Sequence, residues 1–205
     1  SKHGVPFSLS FAAFISERLS DLVAVVLLAL LGMAEHPEAR SAVLLGALGI
    51  LIALLLISSE TVLNKLLDWS TKSKRRLLTL ASHIILALQG ARRCQRADLL
   101  FFATLMSVVA WGAEAIAFYW VLDWLGAEIT LSFAIFVYAL SMLVGALSFL
   151  PGGLGSAEAV MISLLVLKGM STPDAIAATV FIRLATLWFA VLIGLVALIK
   201  SRHDE

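Results

Sequence analysis

The sequence predicts an all-α fold: a polytopic bundle of membrane helices with a re-entrant, broken helix pair and an internal inverted repeat. Composition is the first observation, because 61% of the 205 residues are hydrophobic and 14% are charged, whereas soluble domains are about 45–50% apolar and about 25% charged. Mean hydropathy is +1.01. The second observation is the motif FLPGGLGSAE at 149–158, which interrupts apolar sequence. The third is a similarity between the two ends of the chain.

Five hydrophobic stretches have the length of membrane-spanning helices, for which about 20 apolar residues are needed. We predict a single transmembrane domain over 1–205 with spans at 11–32, 42–59, 99–123, 131–150 and 174–200. The stretch 155–168 is too short to cross the hydrocarbon core, since a helix rises about 1.5 Å per residue. It is therefore predicted to be half of a broken span.

Segment 60–98 differs from the rest because it is both amphipathic and basic. Its apolar residues at helical spacing are Leu77, Leu80, Ala81, Ile84, Ile85 and Leu88, and its flanking basic residues are Lys72, Lys74, Arg75, Arg76, Arg92, Arg93 and Arg96. Two alternatives stay open: a helix on the membrane surface in contact with lipid head groups, or a solvated connector. The positive-inside rule places the segment in the cytoplasm and the protein in the cell membrane.

Several functional classes are disfavoured. The net charge is only +1, so nothing in the charge balance indicates nucleic acid as a partner, and Cys94 has no second cysteine with which to form a disulfide or metal cluster. The four histidines are scattered, and no nucleotide, zinc or hydrolase motif occurs. We therefore expect no catalytic residues, no metal and no cofactor in this chain.

The repeat relates the start of the chain to its end. The same spacing of 14 residues separates Gly4 from Arg18 and Gly169 from Arg183, and Arg-Leu follows an alanine-containing apolar stretch in both copies. By the positive-inside count the two arginine helices run in opposite directions, as in inverted-repeat transporters. Chance similarity between alanine- and leucine-rich helices is the alternative. Because the chain opens at Ser1, we expect the first proline and glycine break to lie upstream.

Charged residues occur inside the predicted spans, where each costs at least about 2.5–3.5 kcal/mol near the bilayer centre. Arg183 lies too deep to snorkel and must face protein or water. Glu114 lies in mid-span, either in a cavity or as a protonated acid between helices. Glu17, Arg18 and Asp21 cluster on the first span, either as part of a site or as a self-contained ion-pair group.

The motif itself predicts a reversal of the chain and an anion-binding helix end. Pro151 ends the incoming helix, and Gly152, Gly153 and Gly155 permit a tight turn. Gly155 or Ser156 can then cap the next helix, whose positive end attracts anions. Glu158 falls in the first turn of that helix. It is either a simple capping carboxylate or the partner of Arg183 in a cavity for a lipid head group.

These residues resemble a known family. FLPGGLGSAEA, the helix FIRLATLWFAVLIGL and the upstream ERLSDL are similar to the transmembrane domain of lysylphosphatidylglycerol synthases and related flippase-like membrane proteins. The resemblance implies a polytopic domain with paired re-entrant segments that moves phospholipids or polyprenyl-linked lipids between leaflets, in some members beside a transferase domain. It also implies that the motif glycines, Pro151, Glu158 and Arg183 form the core of the second half.

The function expected from the sequence is binding and flipping of an anionic phospholipid or a polyprenyl phosphate-linked lipid. Arg183 and the helix end would hold the phosphate, while Glu158 tunes Arg183 or carries a proton. One alternative is the membrane part of an aminoacyl- or glycosyltransferase that presents acceptor lipid to a cytoplasmic catalytic domain. Another is an assembly subunit whose charges only pair helices. A second copy of the chain and a transferase domain are the candidate protein partners.

Overall fold

The computed structural model of the protein describes residues 7–32, 44, 48–49, 97–148 and 150–203. Every regular element in these ranges is helical, and no strand occurs among them. The predicted all-α class is therefore confirmed. Apart from helical residues 44, 48 and 49, the predicted span 42–59 lies outside the described residues, as do segment 60–96, Gly4 and Phe149.

In the ranges 7–32, 97–148 and 150–203, two long helices come before a group of shorter ones. The α-helices of these ranges are α1 (Phe7–Gly32), α2 (Ala97–Trp124), α3 (Leu131–Leu147), α4 (Ser156–Leu167), α5 (Thr172–Arg183) and α6 (Phe189–His203). A 3₁₀ turn, Pro151–Gly153, lies between α3 and α4, and a π-helical turn, Leu184–Trp188, joins α5 to α6. Helix α3 ends at Leu147, three residues before the predicted limit of 150.

Two stretches of the described residues are long and apolar enough to cross a membrane. They are Phe101–Trp124, with 24 residues, and Thr172–Ser201, with 30 residues. The predicted ranges 99–123 and 174–200 overlap these two stretches in sequence. Helices α3 and α4 are shorter apolar helices of 17 and 12 residues.

The chain divides into two compact units. One comprises residues 1–24 and 41–109, and the other comprises 25–40 and 110–205. Helices α1 and α2 each contribute residues to both units. The motif at the α3–α4 break and Arg183 belong to the second unit.

Helix α3 forms the centre of the second unit. Its middle stretch is almost completely buried, and the largest fully buried side chains of the unit include Tyr138, Phe118, Phe136, Leu122 and Leu143. Because lipid tails are as apolar as leucine, close packing contributes more to helix association here than the hydrophobic effect does. At Gly32 an added Cβ would lie 2.5 Å from the Cβ of Phe136, so the end of α1 meets α3 without room for a side chain.

The turn after α3 folds back against the helix through two glycines. A Cβ added to Gly153 would lie 2.8 Å from the Cα of Gly145, and one added to Gly145 would lie 3.1 Å from the Cβ of Ala157. Small residues at such contacts let helix backbones approach closely. The start of α4 is thereby held against the end of α3.

The π-helical turn Leu184–Trp188 interrupts what the sequence predicts as one continuous helix over 174–200. Thr186 donates its hydroxyl to the carbonyl of Ile182 at 2.9 Å, a back-bond that often bends helices. Single π turns inside α-helices are frequent at functional sites. This one directly follows Arg183.

We predict that Gly153→Ala lowers the free energy of unfolding by at least about 2 kcal/mol. A non-glycine residue at positive φ costs about 1–3 kcal/mol, and the new methyl would press on the Gly145 backbone. Thermal unfolding of the detergent-solubilised protein, followed by circular dichroism, measures the change. Gly112→Ala in α2 is the matched control, because no atom lies within 4 Å of its added Cβ. Equal melting temperatures for the two variants would contradict the close packing.

Candidate functional site

The break between α3 and α4 is a tight turn built on glycine. Leu150 is extended (φ −81°, ψ 142°), and Pro151 then opens the 3₁₀ turn. Gly152, Gly153 and Gly155 have φ values of 64°, 65° and 84°, a region that residues with a Cβ enter only at a cost. The chain can therefore reverse direction here because three of the five residues in the turn 151–155 are glycines that adopt the left-handed backbone conformation.

Glu158 secures the start of α4. Gly155 is the N-cap residue, and its backbone N–H donates to Glu158 Oε2 at 2.5 Å. This is half of a capping box, since glycine has no side chain that could bond back to the helix. Ser156, the other residue considered for the cap, is the first helical residue. Its Oγ lies 3.0 Å from both Ser148 Oγ and the Gly153 carbonyl oxygen, and so ties the two ends of the turn together.

Arg183 reaches from the end of α5 to the same turn. Its Nε donates to Glu158 Oε1 at 2.5 Å, and its Nη2 donates to the carbonyl oxygen of Gly152 at 2.5 Å. Nη1 lies 3.8 Å from the sulfur of Met142. The residue is only 6% exposed, so the guanidinium depends on these partners in place of water.

The electrostatics of this cluster are balanced through one carboxylate. Glu158 uses one oxygen for Arg183 and the other for the Gly155 N–H. The pair therefore joins α4, α5 and the turn, and it brings a cation and an anion together as a neutral unit. A buried charge that loses its partner costs about 3–5 kcal/mol, so each member of the pair fixes the position of the other.

A second polar contact in the same unit involves Glu114. The hydroxyl of Tyr138, a residue 1% exposed, donates to Glu114 Oε2 at 2.5 Å. The Phe118 and Trp111 rings lie beside the Tyr138 ring at centroid distances of 5.8 and 6.5 Å.

The acidic and basic cluster of α1 belongs to the other compact unit. Arg18 forms ion pairs with Glu17 at 2.7 Å and with Asp21 at 3.2 Å. Ser107 donates to Asp21 Oδ1 at 2.8 Å. The Arg18 and Glu17 side chains are 51% and 62% exposed, in contrast to the buried Arg183. Within their unit these charges pair with one another, as one of the two sequence interpretations expects.

The structure thus brings together Arg183, Glu158, Gly152 and Gly155, with Pro151, Gly153 and Ser156 shaping the turn around them. Sequence reasoning missed Tyr138 and Met142. Both lie on α3, and their separation of four residues places them on one helix face. A tyrosine inside an apolar span was the available signal for Tyr138, because a buried hydroxyl requires a partner. No sequence signal distinguishes Met142 from its apolar neighbours.

A separate concave surface of the second unit lies between the α2–α3 loop and the α4–α5 turn. Residues from both connections line it, including Glu128, Lys168 and Asp174. The Lys168 ammonium lies 5.0 Å from the centre of the Phe133 ring. None of the site residues predicted from the sequence lines this surface, so it is distinct from the arginine cluster.

We predict that Tyr138→Phe lowers the free energy of unfolding by about 1 kcal/mol, because Glu114 loses its donor and hydrogen bonds inside membrane proteins average about 0.6 and reach about 1.7 kcal/mol. Tyr119→Phe is the control, since it removes the chain's other tyrosine hydroxyl from a half-buried position. Thermal unfolding in detergent compares the two variants. An equal effect of both substitutions would show that the Tyr138–Glu114 hydrogen bond adds nothing to the free energy of unfolding.

Comparison with known proteins gives related membrane proteins. The chain is 28% identical over 222 residues to a UPF0104 membrane protein of Pyrococcus horikoshii, covering 96% of this chain and 65% of the relative. Two UPF0104 membrane proteins of Methanothermobacter thermautotrophicus are 32% and 34% identical over 49% and 44% of the chain, which are 30% and 27% of their own lengths. The chain thus spans less than two thirds of the curated relatives it matches. No solved structure matches.

The family described as "Lysylphosphatidylglycerol synthase TM region" matches residues 1–194, nearly the whole chain. This match includes the glycine turn, Glu158 and Arg183. Together with the all-helical fold, it agrees with the resemblance identified from the motif. The chain is a helical membrane protein and belongs to the lysylphosphatidylglycerol synthase TM region family.

Proposed function

We propose that this protein binds the phosphate of an anionic phospholipid or polyprenyl-linked lipid at Arg183 and transfers the lipid between leaflets. One observation carries the proposal: a guanidinium that is 6% exposed lies between apolar helices, against a glycine turn. Arginine is the side chain best suited to phosphate, because its planar fork can donate two parallel hydrogen bonds.

The surroundings of Arg183 favour an anion over a cation. Arg183 contacts the first turn of α4 through Glu158, and a helix N-terminus carries about half a positive charge. Glu158 neutralises the arginine while the site is empty, which lowers the cost of holding the charge among apolar helices. A phosphate would then be a second anionic partner of the guanidinium, and Glu158 would adjust the strength of binding.

The broken helix provides a route for alternating access. Transporters built on broken helices place the substrate near the midplane and expose it to each side in turn. The Gly152–Gly155 turn, with three positive φ values, would be the element that changes conformation. In the orientation proposed here the basic segment 60–98 is cytoplasmic, the membrane is the cell membrane, and Glu114, in the same unit as Arg183, contributes polar lining to the lipid path.

The family name favours a second candidate function. It describes the membrane region of a lysylphosphatidylglycerol synthase, which is consistent with a membrane part that presents acceptor lipid to a transferase domain. Both candidates require recognition of a lipid head group at the arginine cluster. They differ in whether the lipid crosses the bilayer without a transferase reaction. Translocation by the purified full-length protein in vesicles distinguishes the two.

We predict that Arg183→Ala reduces lipid translocation at least tenfold, because the phosphate loses its buried cation. Arg183→Lys should retain part of the activity, since it keeps the charge and loses the fork. The assay reconstitutes full-length protein in phosphatidylcholine vesicles with fluorescent phosphatidylglycerol and measures how quickly dithionite quenches the inner-leaflet probe. Lys200→Ala is the matched control, because Lys200 is an exposed cation at the end of the same helical run.

Folding of each variant is checked by size-exclusion elution and circular dichroism before reconstitution. Unchanged translocation by folded Arg183→Ala protein would refute the proposal. The double variant Arg183→Glu with Glu158→Arg provides a further test, because it retains an ion pair and moves the cation to α4. Full recovery of stability together with full translocation would indicate that the charges only pair helices.

A further inference from the structure

The three partners of Arg183 contact different nitrogens of its guanidinium group. Nε and Nη2, which share the side edge of the planar group, donate to Glu158 and to the Gly152 carbonyl oxygen at 2.5 Å each. The end edge consists of Nη1 and the outer N–H of Nη2. Nη1 contacts one described acceptor, the Met142 sulfur at 3.8 Å.

The acceptor of Nη1 is much weaker than the acceptors of Nε and Nη2. A carboxylate and a backbone carbonyl are strong acceptors, whereas a thioether sulfur is a weak one. Hydrogen bonds from a cation to an anionic oxygen are about twice as strong as bonds between neutral groups. The end edge therefore presents a buried cation whose N–H groups would gain most from a better acceptor.

Met142 can move aside more easily than the other two partners. Its side chain is half-buried, unbranched and flexible, while Gly152 is fixed by the turn and Glu158 by its second bond to Gly155. A ligand that displaced Glu158 would separate a buried ion pair. A ligand that displaced the Met142 sulfur would remove only one weak bond.

We propose that the end edge of the Arg183 guanidinium is the phosphate-binding edge and that Met142 is its exchangeable cover, replaced by phosphate oxygens when the ligand binds. This inference rests on the proposed function and specifies how the site acts. The ligand chemistry is a tetrahedral phosphate that accepts two parallel hydrogen bonds from the fork. While phosphate replaces Met142, Glu158 and Gly152 stay bound to Nε and Nη2 and keep the arginine oriented.

The test compares Met142→Gln with Met142→Leu in the full-length protein. Glutamine places an amide oxygen, a strong acceptor, where the sulfur lies, so phosphate must compete with it. Leucine keeps an apolar cover of similar volume and removes the sulfur. We expect Met142→Gln to weaken binding about tenfold, as loss of a net hydrogen bond to a charged group would, and Met142→Leu to bind within about threefold of the unmodified protein.

Isothermal titration of the detergent-solubilised protein measures affinity for dioctanoyl phosphatidylglycerol, for inorganic phosphate and for dioctanoylglycerol, which lacks phosphate. Weaker binding of either phosphate probe to Met142→Gln than to Met142→Leu supports the inference, and the probe that binds more tightly identifies lipid or free phosphate as the source. Equal affinities for the two variants, with binding lost in Arg183→Ala, overturn the inference and leave the proposed function intact. Full binding by Arg183→Ala overturns both.

A measurement on the unmodified protein covers the case in which Met142→Gln does not fold. The chain contains five methionines, so ¹³C-methyl labelling gives few signals, and Met142→Leu identifies the one from Met142. Phosphatidylglycerol should shift the Met142 methyl resonance and leave that of Met161, which is fully buried, in place. A Met142 resonance that stays unchanged at saturating ligand contradicts displacement of the side chain.

Discussion

A guanidinium buried between apolar helices has to find strong partners within the protein, and much of the second unit is arranged around this requirement for Arg183. The Glu158 carboxylate supplies the opposite charge, and the Gly152 carbonyl supplies a neutral acceptor. That carbonyl is free to accept because the chain leaves regular helix at this point. The buried charge therefore depends on the break in the helix, because an unbroken helix would use its carbonyls for its own hydrogen bonds.

The close glycine packing determines where this acceptor lies. Gly153 meets the backbone of Gly145, and the positive φ values of the turn then direct the chain into α4. Glu158 links the start of α4 to α5, because one of its oxygens caps α4 and the other binds Arg183. A change in the turn would consequently be transmitted to the arginine through two routes, the Gly152 carbonyl and the Glu158 carboxylate. The proposed binding of a lipid phosphate at Arg183 would use this coupling.

Much of this organisation follows from sequence, for physical reasons. Apolar composition indicates the all-helical membrane class, proline and glycine indicate the break, and the cost of a lone charge in lipid indicates that Arg183 needs a partner. The contact between Tyr138 and Glu114 does not follow, because periodicity assigns a residue to a face without saying which helix lies opposite. The choice of Gly155 over Ser156 as the cap does not follow either, because both residue types are common at that position. The π-helical turn has no compositional signature in LATLW.

That π-helical turn changes which residues after it lie on the same helix face as Arg183. A π turn accommodates about one residue more than an α turn, and in an α-helix one residue corresponds to about 100° of rotation. Positions such as Ala190 and Gly194, which regular spacing would align with Arg183, are therefore turned away from it. The stretch before the turn and the stretch after it are therefore offset by a fixed rotation, and removing one residue between them would turn the distal half of the helix by about 100° relative to α5.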